Sequence, residues 1–298
     1  MDDVIIIGGS FAGLTAASHL ARARRTVTIL DTNRPRNRYA RGAHNVLGWD
    51  GASPFDIRKK ALADVLAYPT VRHIAAEATG IGGVAGDFAI RTLGGEAFGA
   101  QRVLLSYGVN DNFPDIPGFA DCWGNTVIHC PYCHGYEVAD GHLGLLYSSP
   151  NSLHATVLLK DWSDNVTLFT NGLDLPDGEE AKVERRGVRI YEGKIAKILH
   201  ENGQVRAALM ESGKEVPLDA ILAHPQITPS ARLHEDIGAH TLESPFGVYL
   251  KTSDEFETTV PGIFAAGDLA GPRHSINNAI YGGTIAGVGL HRSLLDWT

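Results

Sequence analysis

Apolar residues run without a break at positions 4–7, and a helical pattern follows at 14–22. The first reads as a strand and the second as the helix it enters. A second apolar strand at 26–30 ends in Asp31. Further strands are expected at 103–106, before Tyr107-Gly108, and at 165–169. Near the end, an apolar stretch from 260 leads to Gly267-Asp268, and a helix carrying Asn277, Asn278 and Tyr281 follows.

The link between the first strand and helix is Gly8-Gly9-Ser10-Phe11-Ala12-Gly13. Gly8 permits a tight turn, Gly13 lets the helix pack on the strand, and the helix N-terminal amides can cradle a pyrophosphate. Ser10 stands where a glycine is usual, and a serine still allows backbone to approach a phosphate. Asp31 lies 18 residues beyond Gly13, where a carboxylate would accept hydrogen bonds from a ribose diol. Such a turn serves NAD as well as FAD.

With 298 residues and 44% hydrophobic content, the chain can bury two cores. A formal charge of −8 argues against nucleic acid or an anionic membrane as partner. No apolar run approaches a membrane span. Three cysteines and an acidic, strand-forming N-terminus fit a cytoplasmic protein, where a cysteine pair is more often catalytic than structural.

Two of those cysteines lie in Cys130-Pro131-Tyr132-Cys133-His134-Gly135-Tyr136-Glu137. A pair at this spacing can close a disulfide and exchange two electrons. A helix starting at Pro131 and the imidazole of His134 both favour a thiolate, and Glu137, one turn beyond Cys133, could shuttle the proton. The same letters suit a c-type haem attachment or a glutaredoxin-like site. Haem attachment requires export, and a thioredoxin-fold site would fall in the first turn of a small domain. Zinc would need Cys122 with His129 or His134, which is not a zinc spacing. Two cysteines packing as small hydrophobes is the remaining reading. Cys122, beside Trp123, reads as a core or interface residue.

The string 259–268, Thr-Val-Pro-Gly-Ile-Phe-Ala-Ala-Gly-Asp, resembles the second flavin motif of the pyridine nucleotide-disulfide oxidoreductases. With the first turn, it implies FAD, with Asp268 bonding the ribityl chain. Ser106-Tyr107-Gly108 resembles the turn by which family members leave the flavin domain. The order of landmarks resembles the low-molecular-weight thioredoxin reductases: an α/β fold of two Rossmann-like, three-layer domains, the second inserted in the first. The flavin domain is expected at 1–112 and 243–298 and the dithiol domain at 113–242, with hinges at Asn112-Phe113-Pro114 and Glu243-Ser244-Pro245. The resemblance implies that Cys133 faces the flavin and Cys130 exchanges with substrate. His134 and Glu137 would take the acid–base role that an aspartate fills in ordinary members. Asn45 and Asp50, in His44-Asn45-Val46-Leu47-Gly48-Trp49-Asp50-Gly51, would lie along the flavin ring. Arg38, in a loop with Arg34, Arg36 and Arg41, could meet the FAD phosphates or dock an acidic partner, although such a run is more often a solvated face.

The Cys-Pro-Tyr-Cys-His-Gly-Tyr-Glu form looks closest to a branch that does not use NADPH. The expected second nucleotide turn, residues 143–152, has no glycine where phosphate must approach, and Pro150 removes an amide donor. Thr170-Asn171-Gly172 stands where ordinary members carry a basic cluster for the 2′-phosphate. Trp297 is expected to stack on the flavin or to pin a terminal helix or dimer contact. The expectation is a homodimeric flavoprotein passing electrons between FAD, Cys130/Cys133 and a thioredoxin-like protein or small disulfide. A ferredoxin-type donor or a second flavin would replace NADPH. The alternatives are a dithiol oxidase using oxygen and a flavin redox sensor without catalysis.

Overall fold

The opening apolar run forms the strand Asp2–Ile7, and its unbroken hydrophobicity is explained by burial on both faces. Val4 and Ile6 point into one core, and Ile5 and Ile7 into the other. This computed structural model describes residues 1–295; Trp297 lies outside the described residues. The chain divides into two units, one of residues 1–38, 54–110 and 227–298, the other of 39–53 and 111–226.

In the first unit Asp2–Ile7 is flanked in parallel by Val27–Asp31 and Ala97–Leu105. Val71–Ala75 extends one side, and Ile263–Ala265 also pairs in parallel with Ala97–Leu105. Asp87–Thr92 and Ala78–Val84 complete a seven-stranded sheet as antiparallel strands. The helices Phe11–Arg22 and Ile276–Ser293 cover one face, where Ala12, Ala16, Ala17 and Leu20 share a core with Ala286 and Leu290. The small residues matter. A Cβ on Gly283 would sit 2.3 Å from the Ala12 carbonyl oxygen, so only glycine permits this approach of the two backbones.

The second unit has a parallel five-stranded sheet in the order Arg189–Tyr191, Val166–Phe169, Leu143–Leu146, Ala220–Leu222, Val127–Ile128. An antiparallel meander, Ile195–Glu201, Gln204–Met210 and Glu215–Pro217, packs beside it around Phe119, Phe169 and Ile198. Both units thus have the strand–turn–helix plan of a nucleotide-binding fold. No helix among the described residues is long and apolar enough to cross a membrane.

The boundaries differ from those read in the sequence. Residues 227–242 pack with the first unit: Leu233 joins its core, and Ile227 pairs with Gly247. Glu243-Ser244-Pro245 is no hinge. It turns a tight hairpin between Thr241–Ser244 and Gly247–Leu250, in which the Ser244 hydroxyl donates to the Gly247 carbonyl at 2.9 Å. Residues 39–53 pack with the second unit, because Asn45 is hydrogen-bonded to the cysteine segment.

Candidate active site

Cys130 caps a one-turn helix, Pro131–His134, with proline at its first position, where a missing N–H costs nothing. The amides of Cys133 and His134 both turn back to the Cys130 carbonyl, at 3.2 and 3.3 Å. Gly135 continues the turn to Tyr136–Val138, donating to the Pro131 carbonyl at 2.7 Å. A Cβ there would meet the Trp162 ring at 2.9 Å. Both thiols are free and half-buried.

The two sulfurs are unequal. The Cys130 thiol is lowered to about 7, chiefly by the hydrogen bond it accepts from the Cys133 thiol, with help from the Cys133 and Tyr132 amides and against burial. The Cys133 thiol is pushed up, because ionising it would break that bond and burial opposes the charge. In the reduced pair Cys130 is therefore the more readily ionised sulfur and Cys133 the one that keeps its proton. Cys122 is not part of this site. It is fully buried in the core, and burial raises its thiol to about 11.

The segment 43–52 is closed on itself by a bridge between Ala43 and Ala52 and is held against the dithiol turn. Asn45 donates its side-chain amide to the Tyr132 carbonyl at 2.6 Å, and its backbone N–H donates to the Asp50 carboxylate at 2.9 Å. Asn45 has a φ of 60°, which this residue tolerates better than most. His44 lies between two carboxylates: Nε2 is 3.3 Å from Glu137 Oε1 and Nδ1 is 3.6 Å from Asp50 Oδ2. Its ring also meets His134 edge-on, with centroids 6.2 Å apart. Burial lowers the His134 pKa, His44 adds to that, and Glu137 opposes it. Glu137 thus serves two histidines. His44 was not among the residues expected from sequence to act here. Leu47, Trp49, Tyr132 and Tyr136 are exposed on the same two segments.

In the first unit, Gly8 takes a φ of 109° and donates to the Leu30 carbonyl at 2.8 Å, and a Cβ there would collide with the Ser106 carbonyl oxygen at 2.3 Å. A Cβ on Gly13 would lie 2.0 Å from the Gly8 carbonyl oxygen. Ser10 is the N-cap of Phe11–Arg22, but its hydroxyl makes no cap bond, and no acidic residue lies in the first turn. Gly267, φ 76°, meets Ala12, so the two glycine motifs converge. Asp268 is paired with Arg36 at 2.8 Å, whereas Arg38 donates to the Pro35 carbonyl at 3.0 Å. Asp31 accepts from the Gly9 N–H at 3.0 Å and is ion-paired with the buried Arg58, which also donates to the Gly9 carbonyl at 2.7 Å. Gly108 takes a φ of 74°, and its carbonyl accepts from the Ser230 N–H at 3.0 Å.

Comparison with known proteins shows the family and the fold. Residues 2–283 match the family described as pyridine nucleotide-disulphide oxidoreductase. The chain belongs to that family. It is 31% identical to a thioredoxin reductase of Leptosphaeria maculans over 97% of this chain and 93% of that one. It is 30% identical to a thioredoxin reductase of Claviceps purpurea, over 96% and 92% respectively. Among solved structures, an oxidoreductase from Agrobacterium tumefaciens superposes with a TM-score of 0.93 at 38% identity, covering 98% of both chains.

As a pyridine nucleotide-disulphide oxidoreductase, the chain is an oxidoreductase acting on disulfides, and FAD is its cofactor. The residues present fit FAD. The uncapped N-terminus of Phe11–Arg22, free of acidic side chains, suits a pyrophosphate, and the glycine walls leave room that any side chain would fill. A carboxylate offers about four acceptor positions, so Asp31 retains capacity for a ribose after serving Gly9 and Arg58. Arg58 has no counterpart in the sequence reading. It lies on the helix Pro54–Leu66, and no spacing rule connects it to Asp31.

The turn after Leu143–Leu146, where the sequence leads one to expect a second nucleotide turn, is closed by hydrogen bonds among its own residues. Tyr147 is buried, and Ser148 and Ser149 lead into a short turn, Pro150–Ser152. The buried Ser152 hydroxyl accepts from the Ser148 and Ser149 amides at 3.3 and 3.4 Å and donates to the Ser149 carbonyl at 2.6 Å. After the next strand, Asn171 takes a φ of 53° and accepts from the Ile195 N–H at 3.1 Å. It serves the turn.

Proposed function

We propose that this protein is an FAD-dependent disulfide oxidoreductase that moves two electrons between the Cys130/Cys133 pair and its flavin without NADPH. The observation that carries the reading is the second nucleotide turn. The Ser148 and Ser149 amides that would face a pyrophosphate are taken by Ser152, and Pro150 has no amide to offer. Thr170-Asn171-Gly172 supplies no cation for a 2′-phosphate. The dithiol, by contrast, is equipped: Cys130 is lowered to about 7, and His134, the residue after Cys133, faces Glu137 and His44. Cys130 exchanges with the substrate sulfur and Cys133 resolves the mixed disulfide. The substrate is a thioredoxin-like protein or a small disulfide or dithiol, and the exposed Leu47, Tyr132 and Tyr136 favour one with apolar groups beside its sulfurs.

The closed turn also favours a second reading about direction. With no hydride donor seated there, electrons can run from a substrate dithiol through Cys130/Cys133 to FAD and on to oxygen, making the protein a dithiol oxidase.

An anaerobic spectral titration of the FAD-loaded protein tests the proposal. Dithiothreitol should bleach the flavin or raise a long-wavelength charge-transfer band, and Cys130→Ser and Cys133→Ser should each abolish the response. Equimolar NADPH should leave the spectrum unchanged. Rapid bleaching by NADPH would overturn independence from it, and re-oxidation in air that outpaces any added disulfide would favour the oxidase direction.

A further inference from the structure

Thiol–disulfide exchange at this pair has a proton problem. Cys130 attacks as a thiolate, breaking the substrate S–S bond and forming a mixed disulfide while one substrate thiolate leaves. Cys133 must then lose its own proton to attack the Cys130 sulfur, forming the Cys130–Cys133 disulfide and releasing the second thiolate. One S–S bond forms and one breaks, and the two enzyme thiol protons pass to the leaving sulfurs or to water. The second proton is the hard one, since Cys133 is half-buried and burial holds the proton on its sulfur even after Cys130 has entered the mixed disulfide.

A single histidine beside Cys133 does not carry that proton to solvent. His134 follows Cys133 directly and is half-buried, so accepting a proton puts a charge where burial resists it. Glu137 offsets this, but only while its carboxylate stays near His134. A glutamate that is 44% exposed has other rotamers available, and His44 is what holds it, with Nε2 at 3.3 Å. On its other side His44 meets Asp50, which is 73% exposed and faces water. Asp50, Glu137 and His134 are the ionisable groups that contact His44 among the described residues. His134, Glu137, His44 and Asp50 thus form a run of neighbouring groups that begins at the residue following Cys133 and ends in solvent.

We infer that His44 is a positioning residue of the dithiol centre: it fixes Glu137 beside His134 and, with Asp50, opens the route by which the Cys133 proton leaves. The loop is placed for this by the Asn45 bond to the Tyr132 carbonyl, which ties His44 to the turn it serves. The inference rests on Cys130 and Cys133 being the redox pair, and it is independent of which donor or acceptor the flavin uses.

The test is the reaction of the reduced holoenzyme with one equivalent of 5,5′-dithiobis(2-nitrobenzoate), in which two chromophoric thiolates appear in succession. The first reports attack by Cys130 and the second resolution by Cys133. His44→Gln should leave the first phase unchanged and slow the second by roughly tenfold or more. In the native protein the second phase should rise with pH along a limb set by His134, whose pKa burial lowers, and His44→Gln should displace that limb. Added imidazole should restore the second phase in His44→Ala, a rescue that a merely structural histidine would not show. A second phase in His44→Gln with native rate and pH profile would overturn the inference. So would a loss that imidazole cannot repair in a variant with native melting temperature. If the native protein released only one thiolate, the redox-pair reading itself would fall, a result distinct from either.

Discussion

At the residue scale the chemistry rests on an asymmetry between two identical side chains. Cys130 accepts hydrogen bonds and Cys133 donates one, so the same burial yields a thiolate at one sulfur and a retained proton at the other. An ordinary cysteine ionises at about 8.5, and the folded Cys130 value is depressed to about 7. The sign is therefore that alkylation becomes fast as pH rises through 7, where a free thiol is still protonated. Iodoacetamide labelling of the reduced protein, followed by peptide mass spectrometry, should show Cys130 half-maximally reactive near pH 7. Cys133 should stay slow until well above pH 9. Equal labelling of both would refute the asymmetry. The cysteines, His134 and Glu137 could be picked out from adjacent letters because they lie within eight consecutive residues. His44 and Arg58 could not. Their partners come from other elements, as the 87-residue separation of Asn45 and Tyr132 illustrates, and only the folded chain brings them together.

At the scale of elements, the glycine spacing was legible because it encodes backbone sterics rather than side-chain contacts. Gly8, Gly13 and Gly267 each stand where a Cβ would meet another atom at 3.1 Å or less. The hairpin at Glu243-Ser244-Pro245 was misread for a related reason: proline beside a small polar residue marks a turn, but the letters do not say whether the turn separates units or joins two strands. The helix pair beneath the flavin turn offers a test of the steric argument. Gly283→Ala improves helix propensity by about 1 kcal/mol. Against this, the new methyl would lie 2.3 Å from the Ala12 carbonyl oxygen and 3.0 Å from its Cα, both backbone atoms that cannot rotate away. Overpacking of this kind costs about 1–3 kcal/mol, so the clash should win. The variant should melt below the native protein and bind FAD more weakly, since Ala12 lies in the turn that would receive the pyrophosphate. A melting temperature at or above native would show that the helices separate freely.

At the scale of the whole molecule, each unit carries its own buried cores, and the glycine cradle that FAD fits lies in the first. The first unit is assembled from three stretches of chain, and its central strands are contributed by residues 2–7, 97–105 and 263–265. A ligand that binds only the folded form stabilises it by about 2.7 kcal/mol at a hundredfold excess over its Kd. If the two units open independently, that stabilisation should reach only the amides of the first. Hydrogen exchange of the apoprotein, with and without saturating FAD, decides the matter. Slowing should be concentrated in Val4–Ile7, Val27–Asp31 and Ile263–Ala265, elements far apart in sequence that share one sheet. The sheet amides of Leu143–Leu146 and Val166–Phe169 should exchange at unchanged rates. Equal slowing in both sheets would mean that the units unfold as one cooperative body and that the second owes part of its stability to a cofactor held in the first. That outcome would also explain why a unit whose own nucleotide turn is closed keeps the nucleotide-binding plan: its sheet would persist as the support that aims the dithiol, stabilised through its neighbour rather than by a ligand of its own.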